Sequence, residues 1–408
     1  MPDKIPDSVP RRAHVSLETT EPIAFGHGWI SGLLSAVLGV VGLGTVVCFH
    51  YPTVLTMPEL QPYYAEYLLW IRALLHVFLV SSFLLGTISV CLRMNKTLGL
   101  IGIICVFIAA LLGGSRAPVG NMNSSDQFLG LDWFVLNLFL YSAVYVPLER
   151  LFALHPEQST FRKGWLVDLI YFGTNSLLVQ VLTLLTMKPA MIFFDWGRIT
   201  PIVETVSGLP LVIQITGCLL VADLTQYWVH RAFHSFPVLW QFHAIHHSAE
   251  TMDWLAGSRL HLVDAVATRA LTYVPIYVLG FSETTLYAYV AIVVVQATFI
   301  HANVRWEFPG LRWLLATPHF HHWHHAAELE AVDKNFAVHT PFWDWLFGTI
   351  YVPGRWPAEY GLCGRKDVPS SWLLQLLYPF RRRPRSSDLC DIAHEDYVKE
   401  PNGRNTSG

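Results

Sequence analysis

The stretch LPLVIQITGCLLVADLTQYWVHRAFH, residues 209–234, begins as an apolar run and ends in two histidines four positions apart. Leu209 to Trp228 meets the length of about 20 apolar residues that a bilayer crossing requires. The end of the stretch sets Asp223, Tyr227, His230 and His234 on one face of the same helix. A span that finishes in imidazoles raises a metal question, because histidine is neutral near pH 7, binds transition metals and sits beside apolar surface without losing a charge.

The rest of the chain agrees with a lipid-embedded protein. Hydrophobic residues make up 53% of it and charged residues only 14%, and the mean hydropathy of +0.39 lies above that of a soluble domain. Further apolar runs extend from Trp29 to Phe49, Tyr67 to Leu92, Thr97 to Gly114, Trp133 to Leu148 and Trp165 to Met187. A last pair, Val266 to Gly280 and Thr284 to Ile300, reads as a helical hairpin whose first arm is short for a full crossing. The expected fold is an all-α integral membrane protein, a multi-span helical bundle carrying a cytoplasmic, histidine-rich helical cap. None of the six cysteines falls in a CxxC pair, so no iron–sulfur or zinc motif is indicated, and the net charge of −3 predicts no nucleic-acid partner.

Lys and Arg in the short connections set the orientation. Residues 51–66 contain none, and Arg116, Lys188 and Arg198 are the few others on that side. Lys4, Arg11, Arg12, Arg93, Lys96, Arg150, Arg162, Lys163 and the run RRRPR at 381–385 fall on the opposite side. Both termini and every dense histidine cluster are therefore expected on the cytoplasmic side, of an inner membrane in a bacterium or of the endoplasmic reticulum in a eukaryote.

Three histidine groups carry the chemistry. His230 and His234 form HxxxH; HAIHH gives His243, His246 and His247; TPHFHHWHH gives His321, His324 and His325, with His319 and His322 on spacer positions. An HxxxH on its own is more often a hydrogen-bonded or interfacial pair than a metal site. Two HxxHH groups at the ends of apolar helices, following an HxxxH, are hard to obtain by accident. Eight imidazoles overprovide one zinc, which takes about four ligands, and come close to serving two six-coordinate ions. Imidazole suits iron, copper and zinc alike, so spacing does not choose among them. In TPHFHHWHH, His322 should point about 100 degrees away from His321.

HRAFH, HAIHHSAETMDWLAGSRLH, TPHFHHWHH and DKNFAVHTPFWDWLFGT together resemble the fatty acid hydroxylase superfamily, also called sterol desaturase-like, and especially its bacterial-type members. The resemblance runs from about Leu131 to Phe380 and includes VPLERLFAL and RWPAEYG. It implies four regions: an N-terminal tail over 1–28, an N-terminal transmembrane region over 29–130, a catalytic domain over 131–380, and a polar tail over 381–408. It also implies two Fe2+ ions, O2 as co-substrate, and hydroxylation or desaturation of a lipid C–H bond, whether fatty acyl, sterol or related.

Carried over position by position, the implied metal ligands are His230, His234, His243, His246, His247, His321, His324 and His325, joined by His301 in QATFIHANV. His261 in SRLHLVD and His339 in NFAVH are additional ligands or supports. Carboxylates that accept from the outer nitrogen of a bound imidazole are sought among Asp223, Asp264, Asp333 and Asp344, with Asp223 favoured because an unpaired carboxylate in an apolar helix is costly. No residue beyond the metal site is required as base or nucleophile. The chain has no GxGxxG after a strand, no CxxC and no haem-attachment motif, so electrons are expected from a separate cytochrome or ferredoxin-type partner. YPFRRRPR suits such an acidic partner or anionic lipid equally. A metal transporter would string its ligands along several spans, and a haem electron carrier would pair histidines across spans.

Overall fold

The computed structural model describes residues 28–92, 96–121, 128–177, 179–363 and 368–380. Both polar tails, including the basic run at 381–385, lie outside the described residues, apart from Gly28. No β-strand occurs among the described residues, and seven helices are long and apolar enough to cross a membrane. The chain forms two compact units, Met1–Val135 with Ser159–Lys163, and Leu136–Gln158 with Gly164–Gly408.

In the first unit, α1 (Trp29–His50), α2 (Leu68–Leu92) and α3 (Thr97–Leu111) pack through small residues. Lipid tails are as apolar as leucine, so membrane helices associate by close backbone approach and interhelical hydrogen bonds. Both are visible: the hydroxyls of Ser35 and Ser82 each donate to the other's carbonyl at 2.7 Å, fully buried. A Cβ on Gly102 would lie 2.6 Å from the Ser35 carbonyl oxygen, so only glycine permits this approach.

The helix α4 (Leu131–Leu151) runs on into the second unit. There follow α5 (Trp165–Leu177), α6 (Val179–Phe194), α7 (Leu211–Ser235), α8 (Pro237–His247), α9 (Leu262–Leu279), α10 (Glu283–His301) and α11 (Pro318–His324). The expected span from Trp165 to Met187 falls across α5 and α6, on either side of residue 178, which lies outside the described residues. The hairpin arm expected to be short starts four residues earlier than the apolar pattern suggested. At 18 residues, α9 is long enough to cross.

Local chemistry fixes where these helices begin and end. Pro237 cannot continue α7, and with its ring already set for a first turn it opens α8. Side-chain caps start the next three: His261 accepts from the Val263 N–H, Ser282 from Thr285 and Thr317 from Phe320. Gly280, in the left-handed region at φ 76°, ends α9. As a result α7, α8, α10 and α11 bring histidine-bearing turns together.

Gly102→Val is expected to destabilise the first unit by about 1–3 kcal/mol through overpacking. Gly44→Ala, where the nearest atom would be 3.9 Å away, should not. Thermal unfolding of the two variants in detergent checks the contrast.

Candidate metal centre

Nine histidines assemble into two adjoining groups. His230, His234, His243, His247 and His324 form the first, and His246, His301, His321 and His325 the second; within each, one ring nitrogen per residue lies within 4.8 Å of all the others. Each HxxHH box is divided between them. Positions i and i+4 differ by about 40 degrees around a helix, whereas i+3 lies about 60 degrees the other way. So His243 and His247 enter the first group while His246 enters the second, and in the next box His321 and His325 enter the second while His324 enters the first. Each box is thus shared between the two groups rather than facing one of them as a block. The groups touch through His247 and His325, whose rings stack 4.5 Å apart.

The outer nitrogens show which proton each ring carries. Nδ1 of His230 donates to the Phe336 carbonyl at 2.7 Å, His246 to Arg259 at 3.0 Å, His301 to Ala297 at 2.6 Å and His324 to Lys334 at 2.8 Å. A carbonyl only accepts, so these Nδ1 atoms carry the hydrogen and each Nε2 of the neutral ring is a bare lone pair. His243 makes the same outward bond to Asp264 at 2.7 Å, and His234 to Asp333 at 3.2 Å.

In these six rings the inner nitrogen has no proton to share, and the inner nitrogens of each group face one another. Nε2 of His230 lies 2.9 Å from that of His243. In the second group His321 Nε2 is 3.0 Å from His301 and 3.1 Å from His325, and His301 is 3.3 Å from His246. Nε2 of His234, His247 and His324 is buried with no hydrogen-bond partner. Two nitrogens bound to one ion at about 2.1 Å and at right angles stand about 3.0 Å apart. The donor set and its spacing thus fit a cation in each group.

Burial keeps these rings ready to bind. Desolvation, reinforced by neighbouring imidazoles, holds His246, His247, His321 and His325 well below the usual histidine range. Burial brings His324 down to about 3 although the Lys334 carbonyl opposes it. At neutral pH their nitrogens are free of added protons, the form that metals require. Trp240 and Phe336 wall the first group, their ring centroids 4.9 and 5.1 Å from His234.

Residues 215–349, which contain all nine histidines, match the fatty acid hydroxylase family. This part of the chain is a fatty acid hydroxylase domain. The chain is 31% identical over 177 residues to the ornithine lipid hydroxylase OlsE of Rhizobium tropici, which covers 43% of this chain and 53% of that protein. It is 30% identical over 144 residues to the alkylglycerol monooxygenase of Homo sapiens, covering 35% of this chain and 32% of the relative. Against a very-long-chain aldehyde decarbonylase GL1-4 of Oryza sativa it is 25% identical over 183 residues, 42% of this chain and 28% of the relative. The chain thus spans about half the length of the first relative and about a third of the other two. No solved structure matches it significantly.

Within this hydroxylase domain the supporting residues are not all those expected. Asp223 touches no histidine ring: its carboxylate accepts the backbone N–H groups of Val338, His339 and Thr340 at 2.9–3.1 Å. Those three donors satisfy the buried charge, which is the reason it needs no imidazole. Asp344 does the same for Phe336 and Ala337, and also accepts from the Thr349 hydroxyl. Asp264 and Asp333 are the carboxylates on histidines.

His261 and His339 stand outside both groups. Both nitrogens of His261 are engaged, one capping α9 and the other donating to the Leu376 carbonyl at 3.2 Å. It supports the site at one remove, by fixing the start of the helix that carries Asp264. His339 is buried, with neither ring nitrogen hydrogen-bonded, and burial pulls it down to about 4. His322 points away from the groups, as its spacing predicted, but it is fully buried with Nδ1 against the Tyr360 hydroxyl at 2.9 Å. His319 is spent on the Arg355 carbonyl at 2.8 Å.

Sequence reasoning missed Gly257 and Asp168. A Cβ on Gly257 would lie 2.8 Å from Nδ1 of His301, so the backbone itself forms the floor under that ring. Buried Asp168 pairs with the Arg259 guanidinium, which steadies the residue whose carbonyl orients His246. A spaced motif search finds neither, because one acts by lacking a side chain and the other through a neighbour's backbone. A pocket lined by His234, His247, His324, Trp240 and half-exposed Asp333 reaches the first group.

Asp223→Ala leaves three buried N–H groups without an acceptor and is expected to destabilise the protein by roughly 3 kcal/mol or more. Thermal unfolding should show that loss. Asp264→Ala leaves the His243 Nδ1–H without its acceptor, so it should cost about 1–3 kcal/mol in unfolding and also weaken metal binding about 10–100-fold, read by chelator competition.

Proposed function

We propose that this protein is a membrane-bound, O2-dependent di-iron oxidoreductase that hydroxylates or desaturates a C–H bond of a lipid. The observation that carries the reading is the pair of interlocked imidazole groups, in which the bare Nε2 atoms of His230 and His243, and those of His246 and His301, converge with no proton to share. Bound iron would supply the reduction of O2 and the removal of hydrogen from an unactivated C–H bond. The named relatives that oxidise an ornithine lipid and an alkylglycerol support a lipid substrate.

The chain's own part is to hold and to shield. The nine histidines bind, the carbonyls of Phe336, Arg259, Ala297 and Lys334 keep the rings of His230, His246, His301 and His324 turned inward, and Asp264 makes His243 a stronger donor. Trp240 and Phe336 exclude water from the first group. Nothing in this chemistry needs a side-chain nucleophile or general base. Electrons come from a separate cytochrome or ferredoxin-type partner, and the termini and metal centre face the cytoplasm. Ligands gathered at helix ends, rather than strung along the spans, favour an enzyme over a metal transporter.

Metal-replete protein should carry two ions per chain by elemental analysis. His246→Ala and His247→Ala, adjacent in sequence, should each lose one ion, from different groups. His322→Gln should retain both ions and most activity. If His246→Ala and His247→Ala leave two tightly held ions, the ligand assignment is wrong. Zinc in a preparation does not contradict iron in the cell, since zinc outcompetes Fe2+ on nitrogen donors.

Lipid mass spectrometry of a deletion strain against its parent tests the reaction. A named lipid should lose a form heavier by one oxygen or lighter by two hydrogens, and unchanged lipids would count against an oxygenase. For orientation, a cysteine placed near Pro62 should react with an impermeant reagent from outside; reaction only after permeabilisation reverses the topology.

A further inference from the structure

Two segments that do not span carry large apolar side chains to the surface. Residues 311–315, between α10 and α11, expose Trp313 and Leu314, the latter at 72%. The short helix Phe342–Leu346 exposes Trp345 at 61% and Leu346. Monomeric soluble surfaces seldom gather such groups without a reason.

Hydrogen bonds fix the level of both segments against the spanning helices. Residues 338–340 hang on Asp223, seven residues before His230 in α7 and so about 10 Å from it along the axis. The Ala316 carbonyl accepts from Gln296 Nε2 at 2.6 Å, five residues before His301 in α10, or about 7.5 Å. The two segments are tied together by the Ala316 N–H, which donates to the His339 carbonyl at 2.9 Å. Both therefore fold back from the metal centre to a depth that lies within the candidate spans Leu211–Ser235 and Glu283–His301.

Between that depth and the metal centre the spans themselves present apolar surface, Trp228 on α7, two residues before His230, and Val295 on α10. The second segment continues that surface, since the Phe347 ring lies 4.9 Å from Trp228. The cations at this rim sit over tryptophans: the Arg312 guanidinium is 5.3 Å from the Trp313 ring centroid and Arg231 is 5.5 Å from Trp228. An apolar body with a cationic tip fits the boundary between acyl chains and headgroups, where aromatic rings and snorkelling Arg collect.

We infer that residues 311–315 and the helix Phe342–Leu346 form a collar inserted into the headgroup–acyl boundary of one leaflet, beside the histidine groups. The occupant of this surface is the bilayer, because its depth and its continuity with the spans leave it in the lipid phase. The Arg over Trp pairs supply the cationic fringe that lipid phosphates match. The collar presses the leaflet's outer edge against the mouth of the bundle, within about two helical turns of the imidazoles.

Photocrosslinking in cell membranes tests this. p-Benzoylphenylalanine is placed singly at Leu314, at Trp345 and, as a lipid-facing reference within a span, at Leu84, and adducts are read by intact mass and by gel. The expected result is phospholipid adducts at Leu314 and Trp345 in yields comparable with Leu84. Crosslinks to a second copy of the chain or to another protein overturn the inference. So does loss of adducts at both positions while Leu84 still gives them. If the Leu314 variant does not accumulate, Trp313 on the same segment replaces it under the same outcomes.

Discussion

Six of the nine imidazoles in the two groups are turned inward because the ring's other nitrogen has somewhere to put its hydrogen. That outward bond is the constraint on which the hydroxylase domain rests. Four of the acceptors are backbone carbonyls, from Phe336, Arg259, Ala297 and Lys334, so main-chain path and ring direction are one problem. The buried carboxylates serve this arrangement. Asp344 pins the N–H of Phe336, the residue whose carbonyl holds His230, and Asp223 pins the three residues that follow Ala337. Each is a charge placed inside the protein to hold a loop, and the loop in turn holds a ring.

This explains what sequence could and could not reveal. The histidines of the three boxes were legible, because a metal needs particular residue types and a helix presents them at i, i+3 and i+4; His301, alone in its stretch, came only with the family resemblance. Seven spans were legible because lipid demands length and apolarity; Trp165 to Met187 falls across two helices instead, and the arm α9 was read as short because Asp264 in its first turn interrupts the apolar run. The acceptors were not legible. A carbonyl belongs to every residue alike, so nothing in the letters of Phe336 or Lys334 marks them as partners of His230 or His324. Asp223 was misassigned for the same reason: its position in an apolar helix demanded partners, but sequence does not say that three backbone N–H groups supply them.

Division of labour within the second unit follows from the same economy. α9 delivers a carboxylate to His243 from a helix whose first turn is capped by His261, while Gly257, just upstream, clears space under His301. The first turn of α9 and the loop before it thus touch both groups without contributing a ligand. Residues 333–349 act likewise from the other flank, giving carbonyls to His230 and His324 and a carboxylate to His234.

The crossing of each HxxHH box between the two groups has a consequence for the order in which the protein matures. Translation delivers His230, His234, His243 and His247 well before Thr317, so four of the five members of the first group are on the chain early. The second group at that stage has only His246, with His301 to follow, and waits for His321 and His325. The nascent polypeptide therefore passes through an interval in which it offers one four-imidazole cluster and half of another. Four nitrogens are the full complement of a tetrahedral zinc site. Which metal a newly made molecule keeps is thus open to competition before α11 emerges, and the arrival of TPHFHHWHH adds one imidazole to the first group and two to the second in a single step.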